Sequence, residues 1–316
     1  MRRLAMNEAK RRRGASQWDV AWRRFRRSKA GLFGMFMVGV LILVAILADF
    51  LAPYPGRPNP DALKPLYEGD SLRPPSWKYP FGTASVGYDV FSEVLHATKY
   101  TLYVGFVSTI ITMALAILFG SVAGYYGGTT DDALMRVAEV FLVFPTLPLM
   151  LAFTRVYLVA SGSAYWNVLG VNIPVGLTIV IAILGIFGWA GNARLVRGEF
   201  LRIRELEFVK AAKALGADSK RTIFRHVLPN IMSSVIVVST LTIAYAILSE
   251  AGISFLGFGD PNAITWGQMM QENFVDIRIA WWTEVFPGLA VLWSVFGFNL
   301  LGDGLADALN PRLREM

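Results

Sequence analysis

Few residues in this chain could carry covalent chemistry. There is no cysteine, and His96 and His226 are the only histidines. Thiolate nucleophiles, thiolate metal sites, disulfides and a histidine-rich metal centre are therefore excluded. No lysine follows a glycine, so a phosphate-cradling loop ending in Gly-Lys-Ser/Thr is missing, and no His-Glu-x-x-His sequence exists for a zinc-protease helix. His96 falls in a polar loop and His226 at the end of an apolar run, where both read as solvated or interfacial residues rather than as bases for a serine hydrolase. No cofactor or metal is expected. Asp49, Glu139, Arg155 and Glu250 lie within or at the ends of apolar runs, where charge is costly and each is a functional candidate by default. Asp49 and Arg155 read as snorkelling toward an outer surface, and Glu139 and Glu250 as interfacial or helix-pairing groups. None stands clearly at a midplane, where a proton-coupled transporter would place its acids.

The stretch with the most distinctive spacing is ELEFVKAAKALGADSKRTIFRHVLPN, from Glu205 to Asn230. Phe208, Ala211, Ala212 and Leu215 fall on one side of an amphipathic helix, and Gly216 is placed like a helix-ending glycine. Asp218 or Ser219 is suited to cap a second helix, which Pro229 closes or kinks. Small residues allow another surface to approach closely, and two short helices between apolar runs are suited to docking in a groove of a soluble partner. An ordinary charged loop is the competing reading of the same residues.

The elements that must position this stretch are spans. The chain has 316 residues, 54% of them hydrophobic and 17% charged, against about 25% charged in soluble domains. A bilayer core about 30 Å thick needs ~20 mostly apolar residues per helix. About six runs qualify: Gly31 to Leu51, Leu102 to Ala123, Leu134 to Leu158, Val175 to Trp189, Asn230 to Leu248 and Val285 to Leu301. The fold class expected is all-α, a polytopic membrane protein with six transmembrane helices. Pro145 and Pro148 predict a kink or local unwinding in the third run. Residues 1–30 form a basic tail, and the run after it is too long for a signal-peptide core, so it reads as a retained anchor. Residues 53–98 form a proline-rich loop outside the membrane. Its last part, Gly87 to Ala97, is expected to be a short helix lying at the interface or packed within the loop. The stretch from Asn192 to His226 looks soluble, residues 309–316 form a tail, and no internal repeat is evident.

Charge placement orients the spans. The net charge is +7, which would also suit a nucleic-acid binder, but the basic residues flank apolar runs. Arg2, Arg3, Lys10, Arg11, Arg12, Arg13, Arg23, Arg24, Arg26, Arg27 and Lys29 precede the first run. Arg194, Arg197, Arg202, Arg204, Lys210, Lys213, Lys220, Arg221 and Arg225 lie between the fourth and fifth. With six spans both blocks face the cytoplasm, as do both termini. Ser233, Ser239, Thr240, Thr242 and Tyr245 on the fifth span are candidates to line a path, although serine and threonine in membrane helices also bond their own backbone or a neighbouring helix. Trp77, Trp266, Trp281 and Trp282 in the outer loops read as contacts for an outer partner or as interfacial anchors.

The Glu205 to Asn230 stretch resembles the signature of ABC-importer permeases: Glu-Ala-Ala, three residues, Gly, nine residues, then Ile-x-Leu-Pro. Ala211, Ala212, Gly216, Leu228 and Pro229 match, while Lys210 stands where glutamate is usual and His226 where isoleucine is frequent. PFGTASVGYDVFSEVL (Pro80 to Leu95), SEAGISFLGFG (Ser249 to Gly259) and FPGLAVLWSVFGFNLLGDGLADALNPRL (Phe286 to Leu313) resemble three further motifs of type I dipeptide and oligopeptide permeases of the C-type. The resemblance covers nearly the whole chain. It implies a type I importer permease fold, with residues 31–52 as the first helix and 99–308 as the five-helix transmembrane domain. Residues 205–226 would be the coupling segment, contacting ATPases through Glu207, Lys210, Ala211, Ala212, Leu215, Gly216, Leu228 and Pro229. Ser233, Ser239, Thr240 and Tyr245 are the path candidates. The implied partners are a homologous B-type permease subunit, two cytoplasmic ABC ATPase subunits, an extracytoplasmic substrate-binding protein and the lipid bilayer, with no nucleic acid. The chain itself is then no enzyme, sits in the plasma or inner membrane, and imports di- or oligopeptides. Relatives importing oligosaccharides or nickel complexes share these motifs. A stand-alone secondary transporter or channel is the alternative of another class, and a membrane-embedded enzyme a third.

Overall fold

The computed structural model describes residues 17–55, 70–145, 148–153, 156, 165–168, 171–260 and 262–309. The helices are α1 (Gln17–Phe25), α2 (Lys29–Leu51), α3 (Val90–Tyr126), α4 (Gly128–Val143), α5 (Val175–Arg204), α6 (Glu207–Ala214), α7 (Ser219–Arg221), α8 (Leu228–Ile253), α9 (Trp266–Asn273) and α10 (Trp282–Leu309). Two strands, β1 (Tyr165–Val168) and β2 (Val171–Pro174), form an antiparallel hairpin with Tyr165 opposite Pro174. The hairpin is the exception to an all-helical chain.

Among the described residues, five helical runs are long and apolar enough to cross a membrane: α2, α3, α5, Ser219–Phe258 and α10. The expected third span is interrupted. Phe144 turns to φ −67°, ψ 127°, because the residue before a proline is pushed out of the helical region and Pro145 follows. With 16 residues, α4 spans only ~24 Å, less than a bilayer core. Helical turns resume at 148–153. Arg155 and much of the remainder of that run lie outside the described residues.

The other spans are longer than their apolar runs. Among the described residues, no separate interfacial helix precedes α3. Asp89 caps its start by accepting from Ser92 N at 2.9 Å, and the helix runs unbroken for 37 residues, ~55 Å. Val90, Val94 and Leu95, expected at the interface or packed within the loop, are buried, as the packed alternative requires. α5 likewise carries Arg194, Arg197 and Arg202 on its own extension, so the stretch from Asn192 begins as helix.

Small residues set the packing, as expected where lipid tails are as apolar as the helix surfaces. A Cβ on Gly120 would lie 2.6 Å from Ala193 O, and one on Gly124 would lie 2.5 Å from Phe200 Cβ, so α3 and α5 touch backbone to backbone. Gly31 of α2 meets Gly304 of α10 in the same way, with the Phe25 ring closing the corner. At the opposite end of the bundle, the loop after residue 70 is tied down by Asp70. Its carboxylate accepts from Tyr79 Oη at 2.6 Å and Lys78 Nζ at 3.1 Å and pairs with Arg73 Nε at 2.6 Å. The Tyr79 hydroxyl first, and Lys78 and Arg73 with it, hold that carboxyl below its ordinary value. The expected role of the tryptophans changes here. Trp266 and Trp282 are buried and donate to Val94 O and Thr83 O, each at 3.1 Å. They brace the loop from within, while Trp77 stays fully exposed.

Two outcomes are expected. Gly124→Leu overpacks the α3–α5 seam and costs about 1–3 kcal/mol, measured as a lower unfolding temperature in detergent. Gly39→Ala, with open space around it, leaves that temperature unchanged or higher. A depressed carboxyl contributes stability above its unfolded pKa and loses it as pH falls through the folded value. Amide exchange at Thr83, whose N–H donates to Arg73 O, should therefore quicken below the ordinary carboxylate range, and Asp70→Asn should abolish that pH dependence.

Candidate coupling site

The site begins where α5 ends. Arg204 Nη1 donates to Gly124 O at 2.9 Å and to Tyr125 O at 3.3 Å. A guanidinium thus satisfies carbonyls that the end of α3 leaves open and sits against the negative end of its dipole. Two helical turns earlier on α5, Arg197 Nη2 donates to Asp131 Oδ2 at 2.6 Å while its Nε engages Oδ1. This two-pronged bond ties α5 to α4. The chain then leaves α5 at Glu205 and starts α6 two residues later.

α6 is anchored through one side chain. Val209 is 0% exposed and packs in a cluster with Phe200, Ile203, Ile223 and Val227. Lys213 lies 4.7 Å over the Tyr125 ring, an additional tether. The face expected to be apolar is turned outward: Phe208, Ala211 and Leu215 are exposed and Ala212 is half-buried, with Leu215 at 90%. Glu207 is exposed in the first turn. Lys210 Nζ stands 3.3 Å from Glu205 Oε2. That ammonium, with Arg204 contributing less, holds the Glu205 carboxyl below its ordinary value.

The end of α6 follows the spacing of the sequence. Gly216 takes φ +86°, its N–H donates to Lys213 O, and Ala217 N–H donates to Ala212 O, each at 3.0 Å. The second bond closes the wide turn of a Schellman-like ending, which glycine completes without Cβ strain. Asp218, rather than Ser219, then caps the next helix by accepting from Arg221 N at 2.9 Å. Pro229 neither closes nor breaks that helix. A π-helical turn, Thr222–Val227, precedes it, and Leu228 N bonds Ile223 O. Widening the turn is one way a helix accommodates a proline that lacks its own N–H. The helix from Ser219 therefore continues through Pro229 into α8 as one helical stretch that reaches Phe258, kinked only near its end at Gly257 (φ +85°), with Leu228 half-buried, Pro229 exposed and Phe224 exposed on its flank.

The path candidates separate by position. Thr240 is buried where α8 crosses Gly302 of α10, and its hydroxyl donates to Val237 O at 2.7 Å. Ser239 donates to Val235 O at 2.7 Å, and Ser233 is half-buried. Tyr245 is exposed. Thr242, bonded to Val238 O, accepts from Asn192 Nδ2 of α5 at 3.3 Å. Asp260, after α8, accepts from Leu177 N at 3.3 Å and Asn262 N at 2.8 Å, so α8 and α5 are joined at mid-length and at one end.

The other charged candidates are structural partners. Glu139 pairs with Arg194 at 3.3 Å. Asp49 is held by Lys99 at 2.6 Å and His96 at 3.4 Å. His96, expected to be solvated or interfacial, is buried, because α3 carries it under the end of α2, where Nε2 meets Tyr54 O at 3.3 Å. Glu250 is 0% exposed and accepts from Ser254 Oγ at 2.7 Å. Val209, Arg204, Asp131 and Asp260 were not anticipated. Only Val209 carried a local signal, as the apolar neighbour of Phe208 on the other side of the helix.

Two family models match the chain. One, described as binding-protein-dependent transport system inner membrane component, covers residues 116–315. The other, the N-terminal TM domain of oligopeptide transport permease C, covers residues 16–75. Among curated relatives, the oligopeptide transport system permease protein OppC of Bacillus subtilis is 33% identical over 301 residues, 95% of this chain and 91% of that protein. The dipeptide transport system permease protein DppC of the same organism is 35% identical over 297 residues, 93% of this chain and 86% of that protein. The glutathione transport system permease protein GsiD of Pectobacterium atrosepticum is 36% identical over 299 residues, 94% and 92% respectively. With more than half of its length matched and relatives of this identity aligned over nearly all of it, the chain belongs to the family of binding-protein-dependent transport system inner membrane components.

Proposed function

We propose that this chain is the C-type permease subunit of an ATP-driven, binding-protein-dependent importer of di- and oligopeptides, and that α6 is the element through which the motor drives it. The observation that carries this reading is the geometry of α6: one buried residue, Val209, one strain-free end at Gly216, and an outward face of Phe208, Ala211 and Leu215. Such a face on a membrane subunit calls for a soluble partner. The names of the relatives, oligopeptide, dipeptide and glutathione permeases, support a peptide cargo.

In this reading α4 and the helical turns at 148–153 belong to one broken span, which brings the number to six. Residues 31–52 form the first helix, 99–308 the transmembrane domain and 205–226 the coupling segment, with both termini in the cytoplasm as the basic blocks require. A homologous B-type permease completes the path, two ATPases bind below the pair and hydrolyse ATP, with α6 as this subunit's contact to the motor, and an outer binding protein delivers substrate near Trp77. Glu207, Lys210, Ala211, Ala212, Leu215, Gly216, Leu228 and Pro229 form the coupling surface. Tyr245, with Ser233 on the same helix, is the path residue with the strongest support, since it is exposed on α8, whereas Ser239 and Thr240 bond their own helix. ATPases that bind inward- and outward-facing states with different affinity shift the balance between them. The Arg204 and Arg197 bonds oblige the ends of α3, α4 and α5 to follow α6.

The coupling role is tested with Gly216→Arg. Nothing lies within 4 Å of a Cβ at that position, so the side chain has room, but φ +86° disfavours any Cβ. Insertion and abundance should persist while uptake falls by roughly tenfold or more, a coupling loss in the usual range of about 1–3 kcal/mol. Normal uptake at normal abundance contradicts the role. Topology is tested directly because the chain lacks cysteine. Ala217→Cys should be labelled by an impermeant maleimide only from the cytoplasmic side, and Ser161→Cys only from the outside.

A further inference from the structure

The corner where α1 meets α2 is not required by the coupling site, yet it is built firmly. Phe25 is 2% exposed, with its ring against Gly31 and Gly304. Ala21 is buried beside it. Backbone bonds carry the turn: Arg26 N to Trp22 O at 3.1 Å, Arg27 N to Arg24 O at 2.8 Å and Ser28 N to Phe25 O at 3.0 Å. Ser28 then caps α2 by accepting from Gly31 N at 3.1 Å. α1 is therefore clamped to the bundle through its apolar side.

The other side of that corner is cationic. Arg23, Arg26, Arg27 and Lys29 are exposed, and among the described residues none of the four has an ion pair. The Arg26 guanidinium lies 5.0 Å over the ring of the exposed Trp22, which stacks on Phe25. Four residues after Lys29, α2 presents the exposed Phe33, and Phe36 follows. A helix rises ~1.5 Å per residue, so the step from cations to lipid-facing rings takes ~6 Å. Cations at the corner followed along α2 by bare phenylalanines match the order of headgroup phosphate and acyl chain in a bilayer, and an exposed indole held under the Arg26 guanidinium suits the interface between them.

We propose that the α1–α2 corner is a binding site for the headgroup of an anionic phospholipid, with Arg23, Arg26, Arg27 and Lys29 engaging the phosphate and Trp22 seated at the acyl boundary. The proposal depends on α2 being a membrane span and not on the cargo or the motor. Topology signals require charge on one side only, whereas a clamped corner with an indole under a guanidinium also presents those charges at a constant depth. An acidic patch on a partner protein would satisfy the same cations, but the adjoining exposed phenylalanines put the corner at the lipid boundary.

The test uses the full chain with its partner subunits in vesicles of phosphatidylcholine containing a minor fraction of phosphatidylglycerol. Bromine is placed on the acyl chains of one lipid or the other, and the Trp22 signal is isolated by difference from Trp22→Phe. Brominated phosphatidylglycerol should quench Trp22 more than its mole fraction predicts, and raising salt should erase the excess. The combined variant Arg23→Gln/Arg26→Gln/Arg27→Gln/Lys29→Gln should lose it at low salt, each removed charge weakening the headgroup contact by roughly fivefold. Ala217→Cys labelling confirms that this variant keeps its orientation. If it does not insert, the salt series on the unaltered chain decides alone. Quenching that follows mole fraction at every salt concentration overturns the proposal, and so does an excess that appears only once the ATPases are removed, which would assign the corner to a protein surface. Loss of transport without a change in quenching would bear on the proposed function instead.

Discussion

The buried side chain of Val209 is the pin on which the exposed part of this subunit hangs. α6 is eight residues long, far shorter than the ~12–15 residues at which an isolated helix begins to hold in water. Its stability must come from tertiary contact, and Val209 supplies that contact within the cluster that joins α5 to the helical stretch from Ser219. With one side chain inward, the rest of the helix is free to meet another protein. Arg204 lies immediately upstream and grips the last carbonyls of α3. A push on α6 is thus delivered to backbone, not to a loop.

The bundle above is suited to transmit such a push. Glycines at the α3–α5 and α2–α10 seams bring backbones into contact, and close-packed interiors shift as bodies between discrete arrangements rather than deforming smoothly. α8 departs from regular helix at both ends, in the π turns Thr222–Val227 and Ser254–Phe258, with Gly257 at φ +85° in the second. Irregular turns of this kind are frequent at functional positions. Between them α8 is joined to α5 through Asn192 and Thr242, and beyond the second through Asp260. The segment around α6, the Asn192–Thr242 contact and the loop at Asp260 are therefore linked along two helices.

Much of this was legible in the sequence where local chemistry decides the outcome. Gly216 ends α6 because a left-handed residue is needed there, and Asp218 caps the next helix because its carboxylate reaches the free amides. Apolar length located five of the six expected spans, though not their ends: α5 continues well past its apolar run, where Arg197 meets Asp131 and Arg202 meets Glu199. Tertiary facts were out of reach. Nothing local marks His96 as buried under α2, Trp266 and Trp282 as internal braces, or Arg204 as a cap for a helix 80 residues away in sequence. Pro145 and Pro148 were visible as a kink, but whether the run bends or breaks depends on neighbours that a one-dimensional pattern does not contain. The Tyr165–Pro174 hairpin carried no clear turn signal at all.

The most direct test of the coupling role is a cross-link at the outermost point of α6. Leu215→Cys, in a chain with no other thiol, is joined by a short bifunctional reagent to cysteines placed on the ATPase subunit, in reconstituted transporter with and without ATP. A motor seated on α6 gives an adduct whose yield changes with the nucleotide state. If no adduct forms in either state while transport runs normally, force enters the bundle elsewhere and the central claim is wrong.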